Sequence, residues 1–189
     1  MKNSISALLM LCIVLLIGIG APISASADYF ANTRSFYGVS YHSSVDTKFT
    51  DGGVTYSYRS LFDEARPKWH NKAPGVNLTR TTHTWSDTYY VGSTSDPTMV
   101  GRIFPYNGSY DNVGLDAYWL YVNVYVYHNK FNEFKYSKAK RLATMTHEVG
   151  HSVKMKHPAS YTGSSVMHQG PAKATSPTTW DINELNKKW

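Results

Sequence analysis

The chain has 189 residues, 19 basic against 13 acidic, eight His and one Cys. That length builds one core without covalent staples, and 42% apolar with 17% charged residues excludes a disordered chain. One Cys excludes both a disulfide framework and a thiolate zinc site.

Lys2 precedes an unbroken apolar run from Ala7 to Ile19, and Ala25-Ser26-Ala27 follows with small residues at both ends. The run is short for a membrane span and has the flanks of a secretory signal. Residues 1–27 are therefore expected to be a signal peptide cleaved after Ala27, leaving residues 28–189 as one domain. Leu11 is too large for lipoprotein processing at Cys12. The mature chain keeps 18 basic and 13 acidic residues, a net +5, and no cysteine. It is expected outside the cell, free of the membrane, where basic charge gives solubility or affinity for anionic wall polymers.

Along that chain, Val54–Tyr58 alternates as a strand after the turn Asp51-Gly52-Gly53. Ser60–Asp63 reads as a capping box for a helix with Leu61, Phe62, Ala65 and Trp69 on one side, kinked or ended by Pro67. Short strands are expected at 76–82, 88–91 and 99–104, then a strong one at 118–128, rich in Tyr and Val. Ser137–Met155 is predicted helical, with Leu142, Thr146, Val149 and Val153 as its buried stripe. Residues 158–179 read as loop, and Thr178–Asp181 caps a last helix presenting Ile182, Leu185 and Trp189. Strands first and helices late make an α+β fold.

The chemistry sits on the long helix, in His147-Glu148-Val149-Gly150-His151. Histidines at i and i+4 share one helix face, the bite a tetrahedral zinc needs, and Glu148 lies beside the metal, placed to take a proton from zinc-bound water. His157 follows six residues later and can supply a third nitrogen. With eight His and four Glu, this pattern arises by chance roughly three times in ten thousand such chains.

His147-Glu148-x-x-His151-x5-His157, followed by Ser165-Val166-Met167, resembles the metzincin zinc endopeptidases, most closely the matrixin-type and small bacterial members. The resemblance covers the catalytic half well and residues 28–130 only in order and size. It implies a twisted, mostly parallel sheet with one antiparallel edge strand, an active-site helix and a C-terminal helix. It also implies His147, His151 and His157 as ligands of one zinc, Glu148 as general base, and Met167 as the floor beneath the metal. A protein or peptide substrate would pair with an edge strand between Met99 and Tyr118. Two positions depart from the family: Lys154 stands where Gly is usual, and Gln169 stands where some branches carry a metal-reaching Tyr. Lys at a left-handed turn costs about 1–2 kcal/mol over Gly.

The reading that follows is a secreted, monomeric zinc-dependent endopeptidase with no nucleic-acid or membrane partner. Its alternatives are a non-enzymatic zinc-containing module that binds wall glycan or protein, and a zinc amidase acting on wall peptides. Glu184 is an alternative third ligand, and His168 a neighbour of the site. His70, His83 and His128 lack the close spacing of a second zinc site. Asp87, Asp96, Asp111 and Asp116 leave structural calcium open, since no loop has regular oxygen spacing. Lys135, Lys138, Lys140 and Arg141 read as a solvated face, and Asn77 and Asn107 as glycosylation sequons.

Overall fold

The computed structural model describes residues 28–40, 47–170 and 174–189. The expected signal peptide, 1–27, lies outside the described residues. Four strands form the main sheet: β1 (Val39–Ser40), β4 (Asp87–Gly92), β6 (Tyr121–Tyr127) and β5 (Gly101–Tyr106), in that spatial order. β1, β4 and β6 run parallel, and β5 runs antiparallel along the edge of β6. A separate hairpin joins β2 (Lys48–Asp51) to β3 (Val54–Ser57) through Gly52-Gly53, both at positive φ.

Alternation decides the sheet's inner face. Tyr89 and Val91 of β4, Ile103 of β5 and Val122, Val124 and Val126 of β6 are buried, while their neighbours in sequence, the buried Tyr127 at the end of β6 excepted, are partly or fully exposed. Against that face packs α3 (Lys138–Ser152), started by Ser137, whose hydroxyl accepts from the Lys140 N–H. Leu142, Thr146, Val149 and Val153 are all buried, as the spacing predicts. Before it come α1 (Arg59–Ala65), continued by a 3₁₀ turn over Arg66–Lys68 at Pro67, and α2 (His128–Glu133). The last helix, α4 (Thr179–Lys188), carries a capping box between Thr178 and Asp181.

Several boundaries differ from expectation. Tyr58, not Ser60, is the N-cap of α1, without a side-chain cap. Residues 76–82 are not a strand; Val76 and Leu78 are buried by tertiary packing, and only Arg80 bridges to Val39. The long Tyr/Val run stops being a strand at Tyr127, because His128 turns inward to Tyr58 and begins α2. The mixed sheet with helices on its inner face fits an α+β class. No helix among the described residues is long and apolar enough to cross a membrane.

Candidate metal centre

Helix periodicity places His147 and His151 one turn apart on α3, and the chain returns so that His157 meets both. The Nε2 atom of His157 lies 3.1 Å from that of His147 and 3.2 Å from that of His151. A tetrahedral ion with metal–nitrogen bonds of about 2.0–2.1 Å needs nitrogens about 3.3 Å apart, so the spacing fits. Protonation fits as well. Burial pushes His147 down to about 4 and His151 well below its usual value, and burial with His168 nearby also lowers His157. Three neutral imidazoles with converging lone pairs are a donor set for a cation, so His147, His151 and His157 can hold a metal ion.

Two of the rings are held from behind. His147 Nδ1 faces the Val166 carbonyl at 2.8 Å, and His151 Nδ1 faces the Met155 carbonyl at 2.7 Å. Each carbonyl selects the tautomer that leaves Nε2 free for a metal. The turn carrying Val166 is itself anchored: Asp181 accepts from the Ser165 hydroxyl at 2.5 Å and from the Val166 N–H at 3.1 Å, and Ser165 Oγ accepts from the Met167 N–H. Asp181, the N3 member of the α4 capping box, thus holds the support of His147. Met167 is fully buried against Gly150, where an added Cβ would meet its sulfur at 2.3 Å. Gly150 therefore lets the turn approach the helix between the two histidines.

Glu148 is buried and is not a member of the triad. Burial raises its carboxyl to about 8. It lies against Gly101, the first residue of β5, where an added Cβ would meet its carboxylate at 2.6 Å. A cleft of about 740 Å³ runs between β5 and the triad, lined by residues 101–105 together with Phe30, Leu115 and Lys156. A second hollow of about 620 Å³ shares Gly101, His147, Glu148 and His157 and extends past Met99, Phe134 and Tyr136. At its far end β5 is covered, since Tyr106 bridges to Asn112 and the Pro105 carbonyl accepts from the Val113 N–H.

The other sequence candidates lie elsewhere. Glu184 pairs with Lys187 on α4 and is not in the triad. His168 Nε2 bonds the Gly163 carbonyl. His128 sits between Tyr58 and Asn132, His70 accepts from the Leu78 N–H, and His83 stacks on Tyr37, so these three form no cluster. Asp87 is committed to Arg34, Asp116 to the Ala31 N–H and Lys156, and Asp96 to the turn at Thr98. Lys154 does adopt the left-handed conformation, φ +78°, and its buried ammonium donates to the Leu115 and Ala117 carbonyls over the Trp119 ring.

No family model matches the chain, and no curated protein matches it. Among solved structures it is similar to the "GM1 bound form of the ECX AB5 holotoxin", at 13% identity and TM-score 0.51, over 83% of this chain and 78% of that one. At that identity the likeness shows the fold alone. The expectation of a zinc-dependent endopeptidase is corrected on this finding: this solved structure of similar fold is an AB5 holotoxin in its GM1-bound form, which leans toward binding rather than proteolysis. What remains is a metal-capable histidine triad in an α+β fold, with the two alternative readings in place of the endopeptidase.

Proposed function

We propose that the chain is a zinc amidase acting on wall peptides. The observation that carries this reading is the position of Glu148, buried beside the three histidines and against the start of an edge strand that lines the cleft. A histidine site that served only to hold a metal would have no use for an acid there. Zinc held by His147, His151 and His157 would supply a Lewis acid for the scissile carbonyl and acidify water near it. The chain's own part is proton handling and positioning. Glu148 accepts a proton on its carboxylate and returns it to the departing nitrogen. Backbone groups of β5 orient an extended substrate beside it, and the walls of the cleft exclude water. A secreted location, with the net positive charge drawing the protein to anionic wall polymers, belongs to the same proposal. So does the metzincin resemblance of the motif.

The second reading is a non-enzymatic zinc-containing binding module for wall glycan or protein. The specific finding in its favour is that the similar solved toxin is the GM1-bound form. Incubation of zinc-loaded protein with purified cell wall, with new free amino groups measured, separates the two. Amines released by the parent and not by Glu148→Gln support the amidase. Retention on wall with no amine released by either supports the binding module.

A further inference from the structure

The three candidate ligands are unequally held. His147 and His151 are steadied at Nδ1 by the Val166 and Met155 carbonyls, whereas the bonds of the His157 ring among the described residues run only to the other two histidines. His157 is also the exposed member, carried on loop rather than helix. Its place therefore depends on its backbone.

That backbone is gripped from the opposite end of the chain. The Lys156 N–H donates to the Asp28 carbonyl at 2.8 Å, and the Ala159 N–H donates to Asp28 Oδ1 at 3.0 Å. One residue thus holds both sides of His157 through two different acceptors. Its neighbours extend the seam. Tyr29 bridges to Met155, and the Phe30 N–H donates to the Lys154 carbonyl at 2.7 Å. Asp116 takes the Ala31 N–H and the Lys156 ammonium together. Phe30 itself lies 6.2 Å from the His151 ring and lines the cleft. Asp28 is buried, so its carboxylate has little water to compete for these bonds.

We infer that Asp28 is a positioning residue for the metal centre, fixing the loop that presents His157. The inference rests on the histidines holding a metal and does not depend on the amidase reading.

The test is a cobalt and zinc titration of the purified protein beside Asp28→Ala and Asp28→Asn, with thermal unfolding of all three metal-free. Supporting groups of metal ligands are worth about 10–100-fold in affinity. Asp28→Ala is expected to bind metal at least tenfold more weakly and to shift the cobalt visible bands. Asp28→Asn, which keeps an Oδ1 acceptor, is expected to recover most of both. Metal-free Tm should differ little among the three. Unchanged affinity and spectrum in Asp28→Ala would overturn the inference, as would a metal-free Tm loss large enough to account for weaker binding. A parent that takes up no cobalt overturns the metal reading and this inference with it.

Discussion

Arg34 and Asp87 form an ion pair whose side chains have no solvent exposure. The guanidinium reaches the carboxylate by two bonds, of 2.6 and 2.9 Å, and donates again to the Ser152 carbonyl at 2.7 Å and the Ser35 carbonyl at 2.7 Å. Asp87 Oδ1 also accepts the Val122 N–H. The pair therefore ties the start of β4 and β6 to the C-terminal end of the helix that carries His147 and His151. Removing one member strands the other charge in an apolar interior, a cost of about 3–5 kcal/mol. Against a total stability of about 5–15 kcal/mol, that is a large share. Asp87→Leu and Arg34→Met are each expected to lose about 3–5 kcal/mol in urea unfolding of the metal-free protein at pH 7, followed by circular dichroism. The double variant is expected to lose much less than the two losses together, because no unpaired charge remains and apolar side chains of similar reach fill the space. Single losses below about 1 kcal/mol, or losses that simply add, would refute the argument.

Burial lowers the Lys154 ammonium to about 7, so between about 7 and 10.5 the unfolded chain holds more protons than the folded one and stability rises with pH. Unfolding of the parent compared with Lys154→Met at pH 7 and pH 9 should show the parent gaining about 1–2 kcal/mol relative to the variant. Glu148 works in the opposite sense: its folded value, raised to about 8, makes stability fall as pH climbs from the unfolded value towards 8. Metal-free Glu148→Gln is therefore expected to be more stable than the parent at pH 8, by about 1–3 kcal/mol in the same assay; equal midpoints would contradict a desolvated carboxyl. Loss of the Asp181 anchor in Asp181→Ala should weaken zinc binding through the Ser165–Met167 turn, and an unchanged zinc affinity would separate that turn from His147.

What the sequence revealed follows from range. The histidines at 147 and 151, the stripe on α3 and the Thr178–Asp181 cap are local patterns, set by helix geometry within a few residues. His157 was within reach because it lies just past the helix end. The supports of these groups are long-range contacts with no local signal. Asp181 meets Ser165, Arg34 meets Asp87 and Ser152, and Asp28 meets Ala159, each pair joined only by the folded chain. Lys154 shows the same limit. Its left-handed backbone was raised only by the family resemblance, which puts Gly there, and the burial of its charge over Trp119 had no local signal. Residues 76–82 failed as a strand because burial of Val76 and Leu78 by surrounding elements mimics a strand pattern. The motif alone carried the endopeptidase expectation, and a motif describes a site's chemistry before it describes a substrate.

Zinc affinity measured by chelator competition on the parent, His157→Ala and Glu148→Gln tests the site most directly. One tightly bound equivalent is expected in the parent and in Glu148→Gln, with affinity at least a hundredfold lower in His157→Ala. Equal affinity in the parent and His157→Ala, or loss of zinc from Glu148→Gln, would contradict a three-histidine centre with Glu148 beside the metal rather than on it.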